Sequence, residues 1–318
     1  MRLPKFTHHQ PTRIEDAIHA LADNPGAKAV AGGTDLLVNM KHRVELPLAL
    51  VSLSRIDELR GIRREGDATV IGACTTLKEI QRDEELGRKF PALVQAAMAV
   101  GSYRHQTMGT LAGNLCQNTR CRFFNQSWEW RRVRSLCFKA GGEDCHVVGK
   151  KNICFSTYSG DMAPALLVLN AAIRIQGPQG ISHIPLADLF SGQGKSPLAL
   201  ASAHIVTAVA IPEASGNGLS HYEKFSLRDS IDFPIVGAAV WRENGSVRVA
   251  FTAVDRAPVR AQALEAALQG QKLTGPAIEK AASLAAKSAK LVPTTIHPVA
   301  FKRDIMASLF IRAVRALG

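Results

Sequence analysis

The middle of the chain carries a long segment that lacks the hydrophobic periodicity of a helix or a strand. From Gly109 to Ser159 no apolar repeat is sustained, whereas glycines, cysteines and aromatic residues are frequent. An irregular loop of this length inside a compact domain is usually functional. We therefore expect this segment to be an insertion that carries chemistry.

The cysteines are concentrated around this segment. All six lie between Cys74 and Cys154. No signal peptide or long apolar span is visible, so we expect a soluble cytoplasmic protein with no membrane partner, in which clustered thiols indicate metal or redox chemistry. The spacing contains no C-x-x-C pair, so the thiols could bind Zn²⁺, hold an iron–sulfur cluster or be ordinary buried cysteines. The four that remain when Cys74 and Cys116 are set aside as packing residues are Cys121, Cys137, Cys145 and Cys154.

The charge of the chain is strongly positive. Its 39 Lys+Arg and 27 Asp+Glu residues give a formal net charge of +12 at pH 7. Such a balance favours an acidic partner or an internal anionic group. A basic zinc-binding module that contacts nucleic acid is the remote alternative, but the charge is dispersed and no nucleic-acid motif is present, so we expect no nucleic-acid partner.

The sequence on both sides of the insertion predicts an α+β protein with two domains. We expect a first domain over residues 1–190, in two parts of about 1–55 and 56–190, with the cysteine-rich insertion at about 116–158. Residues 190–197, rich in Gly, Pro and Ser, would connect it to a second domain over 191–318. That second domain would contain a three-stranded antiparallel sheet over residues 221–227, 237–242 and 247–254, then helices over 259–268, 277–290 and 297–317.

Two loops of small residues are candidate ligand sites. Gly32-Gly33-Thr34-Asp35 stands between a predicted strand and a predicted helix, where backbone N–H groups can hold a phosphate. Gly109-Thr110-Leu111-Ala112-Gly113-Asn114 opens the insertion. Neither is a dinucleotide fingerprint or a Walker A loop, and each alone is as well explained by a tight turn. If both converged on one extended ligand, a dinucleotide or a flavin would be favoured.

Three segments resemble a known family in order and spacing. Ala31-Gly32-Gly33-Thr34-Asp35-Leu36, Thr110-Leu111-Ala112-Gly113-Asn114 and Gly160-Asp161-Met162-Ala163-Pro164-Ala165-Leu166 are similar to the FAD-binding subunits of the molybdenum hydroxylase (xanthine oxidase) family. The resemblance covers nearly the whole chain. It implies a two-part FAD-binding domain of the vanillyl-alcohol-oxidase (PCMH) type, followed by a C-terminal domain of the CO dehydrogenase flavoprotein type.

Within the family, the cysteine-bearing insertion resembles that of the β subunits of 4-hydroxybenzoyl-CoA reductases. In those subunits four cysteines hold a [4Fe–4S] cluster, and the resemblance implies that the ligands here are Cys121, Cys137, Cys145 and Cys154. The FAD contacts that the resemblance implies are Ala29, Val30, Ala31, Gly32, Gly33, Thr34, Asp35, Leu36, Thr110, Leu111, Ala112, Gly113, Asn114, Asp161 and Lys224. Two positions depart from the family: Ala112 replaces a glycine, which bears on close packing, and Gln106 stands where an arginine is frequent, which removes one charged contact.

The resemblance also implies a function. The chain would be an electron-transfer subunit with no catalytic residue of its own, assembled with a molybdenum-cofactor subunit and a [2Fe–2S] subunit as a dimer of heterotrimers. A ferredoxin-like donor would supply electrons for the reductive dehydroxylation of 4-hydroxybenzoyl-CoA or a similar aromatic thioester. The alternative is a hydroxylase of the same family that passes electrons outward from a different aromatic or heterocyclic substrate.

Overall fold

A computed structural model describes residues 2–318 of the chain, which form twelve α-helices, twelve β-strands and four short 3₁₀ turns. The strands are β1 Thr7–His9, β2 Lys28–Val30, β3 Ala49–Ser52, β4 Ile62–Glu65, β5 Ala68–Gly72, β6 Ala172–Gly177, β7 Gly180–Pro185, β8 Ile205–Pro212, β9 Leu219–Phe225, β10 Val236–Glu243, β11 Ser246–Thr252 and β12 Val259–Arg260. The helices are α1 Ile14–Asp23, α2 Leu36–Lys41, α3 Leu77–Arg82, α4 Glu84–Lys89, α5 Pro91–Ala99, α6 Tyr103–Met108, α7 Leu111–Leu115, α8 Trp128–Arg132, α9 Met162–Val168, α10 Gln262–Leu268, α11 Gly275–Ala285 and α12 Val299–Arg315. The 3₁₀ turns are Asp57–Leu59, Phe138–Ala140, Leu186–Leu189 and Glu213–Asn217.

These elements build three sheets. A parallel sheet of order β1-β3-β2 is followed by a five-stranded sheet of order β4-β5-β8-β6-β7, in which all pairs are antiparallel. The third sheet is antiparallel, of order β12-β11-β10-β9; helices α10 and α12 pack on it, and α11 packs against both of these helices. The predicted fold, an α+β chain with a two-part first domain and a C-terminal sheet with helices, is confirmed.

Two details of the predicted organisation differ from the structure. Strand β8 lies beyond the boundary expected at residue 190, yet it pairs with both β5 and β6 in the middle of the five-stranded sheet. The first domain therefore extends to Pro212, because removing β8 would split its sheet. In the second domain, residues 259–260 were expected to begin a helix, but they form the edge strand β12, and α10 starts only at Gln262.

The N-termini of α3 and α1 have similar sequences but are capped differently. Thr76 and Glu79 form a complete capping box at α3, with Thr76 Oγ1 accepting from the backbone N–H of Glu79 at 3.1 Å. The same pattern at Thr12 and Glu15 predicts a cap for α1, but there Arg13 is the N-cap residue and no side chain caps the helix. Burial of Ile14, Ala17, Ile18 and Leu21 stabilises α1 instead.

Helix α9 links the two domains. All seven of its residues are buried, and it packs against α5 and α7 of the first domain and against β10 and β11 of the second. Asp161 directly precedes this helix, so the buried helix fixes that carboxylate at the junction between the domains. Within residues 2–318, the helices are all too short or too polar to span a bilayer.

Candidate functional site

The two glycine loops contact each other directly. A Cβ on Gly32 would lie 1.8 Å from the carbonyl oxygen of Met108, which is far inside van der Waals distance. Gly33 adopts a φ of 70°, in the left-handed region that glycine tolerates. Position 32 therefore requires a residue without a side chain, and this close approach places the second loop alongside the first, as expected for loops that share one ligand.

A cavity of about 250 Å³ opens where the loops meet, and we call it the glycine-turn cavity. The predicted contacts that line it are Thr34, Asp35, Thr110, Gly113, Asn114 and Asp161. Asp35 also lines a second space of about 680 Å³, the neighbouring groove, together with the predicted contacts Ala29 and Leu36. Among the residues that line them, Asp35 is the one common to both spaces.

The other seven predicted contacts are not among the residues that line either space. They are Leu111, which is completely buried in the core, and Val30, Ala31, Gly32, Gly33, Ala112 and Lys224. Ala112 lies in α7 and is absent from the residues with positive φ, so alanine is compatible with its backbone. Gln106 donates to the backbone oxygens of Met98 and Val100 and so stabilises the chain beside the loop.

Asp161 joins the first domain to the second at the wall of the glycine-turn cavity. Its Oδ1 accepts from the hydroxyl of Tyr222 at 2.8 Å and lies 3.2 Å from the ammonium of Lys224. Burial raises the pKa of Asp161, while Lys224 and Tyr222 oppose that shift. Lys224 therefore reaches the cavity through Asp161, and it also donates to the carbonyl oxygens of Ala99 and Asp232.

Arg120 is a cavity residue that the sequence did not single out. It forms an ion pair with Asp35, lies over the ring of Phe233 at 4.3 Å from the centroid, and lines the glycine-turn cavity. Its buried Nε finds no hydrogen-bond partner among residues 2–318. Burial lowers the pKa of its guanidinium to about 10, so it stays charged at neutral pH. A buried cation with an unused donor fits an anionic or acceptor-rich ligand.

The four insertion cysteines share one small cavity, which we call the thiol cavity. Its walls include Cys121, Cys137, Cys145 and Cys154, with Phe123 and Phe138 as apolar neighbours. Backbone hydrogen bonds fix the turns around it, from Phe138 N to Asp144 O at 2.8 Å and from Cys145 N to Lys150 O at 2.9 Å. Across residues 2–318, no three His, Cys, Asp or Glu side chains are already arranged to hold a metal ion.

The remaining two cysteines are elsewhere. Cys74 is buried in the first-domain core, where burial raises the pKa of its thiol to about 11. Cys116 lines the neighbouring groove, and burial raises its thiol pKa to about 12. Both thiols are therefore protonated at neutral pH, in keeping with their expected separation from the other four.

Lys139 lines both the thiol cavity and the neighbouring groove. Its ammonium donates to Asn118 Oδ1 at 2.7 Å and to Ser156 Oγ at 3.3 Å, and it also contacts Thr119 Oγ1. Ser156 Oγ in turn lies 3.1 Å from Cys154 Sγ. Burial lowers the pKa of Lys139 to about 8, against the opposing effects of Cys154 and Glu45.

Neither Arg120 nor Lys139 stood out in the sequence, because an isolated basic residue in a basic chain has no periodic or motif signal. The usable signal was position: Arg120 precedes Cys121 directly, and Lys139 follows Cys137 by two residues. Charged residues beside thiolate ligands are candidates for contacts to the site.

Comparison with known proteins identifies the two domains. Residues 4–214 match the model of the FAD binding domain in molybdopterin dehydrogenase, and residues 220–317 match the CO dehydrogenase flavoprotein C-terminal domain. The FAD-binding subunit of an aldehyde oxidoreductase from Escherichia coli is 33% identical over 273 residues, covering 83% of this chain and 86% of that protein. The carbon monoxide dehydrogenase medium chain of Afipia carboxidovorans is 28% identical over 286 residues, covering 88% and 85%.

Solved structures of related enzymes have the same fold as this chain. A chain of the reconstituted CO dehydrogenase from Oligotropha carboxidovorans superposes with a TM-score of 0.81 at 26% identity, covering 100% of this chain and 99% of that one. A chain of quinoline 2-oxidoreductase from Pseudomonas putida 86 has the same fold, with a TM-score of 0.80 at 20% identity over 100% and 98% of the two chains.

Replacing Gly32 by alanine tests the contact between the loops. Because the new Cβ would meet backbone rather than a flexible side chain, we expect Gly32→Ala to lower the free energy of unfolding by about 3 kcal/mol and to remove bound flavin absorbance. Gly87→Ala is the matched control, since Gly87 lies in α4 with nothing within 4 Å of an added Cβ. Urea unfolding and flavin content should be measured for both variants. If Gly32→Ala keeps the stability and the flavin content of the unaltered protein, the loops can separate without a cost in free energy.

Proposed function

The chain belongs to the FAD-binding subunits of the molybdenum hydroxylase family, and we propose that it transfers electrons through FAD and a [4Fe–4S] cluster. The observation that carries the proposal is the position of the thiol cavity: four cysteines of the insertion line one space, and Lys139 separates that space from the groove beside the glycine turn.

The residues around the glycine turn fit FAD. The backbone of the turn and the hydroxyls of Thr34 and Thr110 can hold its pyrophosphate, and Asn114 and Asp161 offer polar contacts along the glycine-turn cavity. The guanidinium of Arg120 supplies a positive charge that Gln106 does not. Bound FAD supplies one- and two-electron exchange, while the protein contributes position and electrostatics.

The contribution of Arg120 can be measured separately from folding. We expect Arg120→Met to weaken FAD binding about tenfold to a hundredfold, the usual value of one charge-assisted hydrogen bond. Arg104→Met, at an exposed position of α6, should leave affinity unchanged. Asp35→Asn should retain FAD, because it removes only the ion-pair partner and keeps the cation. Titration of each apoprotein variant with FAD gives the three affinities. If Arg120→Met binds FAD as tightly as the unaltered protein, Arg120 does not contact FAD.

The thiol cavity fits an iron–sulfur cluster by its donor set. Sulfur is the ligand that such clusters take from proteins, and a four-iron cluster takes four thiolates, each bound to a different iron. Nearby aromatic rings limit water access, with Phe123 packed edge-on to His146 at a centroid distance of 5.7 Å. We propose Cys121, Cys137, Cys145 and Cys154 as the four ligands.

Metal analysis tests this assignment. After anaerobic purification we expect about four iron atoms per chain. Cys121→Ser, Cys137→Ser, Cys145→Ser and Cys154→Ser should each lose most of that iron, whereas Cys74→Ala, a core change outside the cavity, should keep it. Zinc without iron in the unaltered protein would overturn the cluster, and full iron in all four serine variants would overturn the ligand set.

We propose the reductive dehydroxylation of 4-hydroxybenzoyl-CoA or a similar aromatic thioester as the reaction of the assembled complex. Substrate chemistry would occur on a molybdenum-cofactor subunit, with a [2Fe–2S] subunit between, in a dimer of heterotrimers. Electrons would arrive from an acidic ferredoxin-like donor at the insertion, because the exposed Arg132 and Arg134 lie just before Cys137. The proposal is supported by the insertion and its thiols; the substrate itself follows from the resemblance.

A turnover assay of the complex separates this reaction from its alternative. Dehydroxylation consumes two electrons and two protons and releases water, so we expect 4-hydroxybenzoyl-CoA to oxidise a reduced low-potential donor, at a rate that falls as salt is added. Hydroxylation runs the other way, consuming water and releasing two electrons and two protons. Reduction of an acceptor by an unhydroxylated aromatic substrate, with no dehydroxylation of the thioester, would establish the outward direction that the family also offers.

A further inference from the structure

The ammonium of Lys139 lies between the two proposed cofactor sites, where neutral oxygen atoms accept its hydrogen bonds. Lys139 comes from the 3₁₀ turn that follows Cys137, and the partners of its ammonium are the side chains of Asn118, Thr119 and Ser156 and the backbone oxygen of Thr119. Thr119 and Ser156 are almost completely buried, at 0% and 1% exposure. The positive charge is therefore held in a fixed place, where water screens it weakly.

The direction of the hydrogen bonds in this network follows from the lysine. An ammonium can only donate, so the hydroxyl oxygens of Thr119 and Ser156 accept from it and direct their own protons elsewhere. Thr119 Oγ1 donates to the carbonyl oxygen of Gly194 at 2.7 Å and lies 2.6 Å from Ser156 Oγ, which itself lies 2.9 Å from the same carbonyl oxygen and 3.1 Å from Cys154 Sγ. A metal-bound Cys154 is a thiolate and can only accept, so the charge-assisted bond draws the Ser156 proton to the sulfur.

The network continues to the wall of the neighbouring groove. Asn118, which accepts from Lys139, donates through Nδ2 to Glu45 Oε1 at 2.7 Å, and Glu45 forms an ion pair with Lys28 at 2.8 Å. Lys28 precedes the predicted FAD contact Ala29 and lines the same groove. One continuous set of contacts thus runs from Cys154 to Lys28 at the wall of the neighbouring groove, and Lys139 is its only member that lines both spaces.

We propose that Lys139 and Ser156 are redox-positioning residues that raise the reduction potential of the [4Fe–4S] cluster, with Lys139 acting also on the flavin. The inference rests on the cluster proposed above. Reduction adds one electron to a group that already carries thiolate charge, so a fixed cation and an O–H···S hydrogen bond stabilise the reduced state more than the oxidised one. Ser156 is absent from the walls of the groove, so its effect should be confined to the cluster.

The test is a potentiometric titration of the full chain, purified anaerobically, with dithionite as reductant, the cluster followed by EPR and the flavin by absorbance. In Lys139→Met we expect the oxidised-to-reduced ratio of the cluster at a fixed potential to rise at least tenfold, a shift of about 59 mV for one electron, and the flavin potential to fall with it. Ser156→Ala should shift the cluster in the same direction by less than tenfold and leave the flavin unchanged. Lys139→Arg should restore most of the unaltered values.

Lys150→Met is the matched control, because Lys150 belongs to the same insertion but its side chain is exposed, so solvent screens its charge and both potentials should stay within threefold. If Lys139→Met loses its cluster, the cluster potentials of Ser156→Ala and Lys139→Arg still test the inference. An unshifted cluster in Ser156→Ala, together with an unshifted or lost cluster in Lys139→Met, overturns the inference while the cluster stands. A chain without any iron–sulfur EPR signal overturns the proposed function instead.

Discussion

The contact between Gly32 and the backbone at Met108 is the constraint on which the rest of the site depends. It brings the turn after β2 against the loop before α7, two segments that are far apart in sequence and belong to different parts of the first domain. The cavity exists only because these loops meet at backbone distance. Residues of both loops line the glycine-turn cavity, so its shape depends on their contact.

A second contact between distant segments joins the first domain to the second. Asp161 is buried, and an unpaired buried carboxylate would be costly, so Tyr222 and Lys224 from β9 must meet it when the domains pack. The resemblance assigned Lys224 to the cofactor, whereas the structure places it against Asp161. Lys224 fixes the carboxylate that lines the cavity and ties the strand β9 to the first domain, while its contact with FAD stays a prediction.

The sequence predicted those parts of the molecule that local patterns encode. The three strands β9 to β11 alternate or are continuously apolar, so the fold class could be predicted, and the two small-residue loops could be located from their composition alone. The position of β8 did not, because a strand that pairs with β5 and β6 across a long intervening segment leaves no local signal. Arg120 and Lys139 were missed for the same reason, since their partners are set by tertiary contacts.

The interior positions of Arg120 and Lys139 also change how the positive net charge should be interpreted. The excess of Lys and Arg suggested a surface for an acidic partner, but several of the cations are internal. Arg131 and Lys302 are buried at 7% and 1% exposure, Arg131 donating to the carbonyl oxygen of Arg43 and Lys302 to that of Ala253. With Arg120 and Lys139 they stabilise backbone and cavity walls from within. Since screening by water weakens exposed charges more than buried ones, the internal cations bear more on cofactor energetics than the larger number at the surface. The basic composition is thus partly accounted for by cations that stabilise the interior, and not only by a surface for an acidic partner.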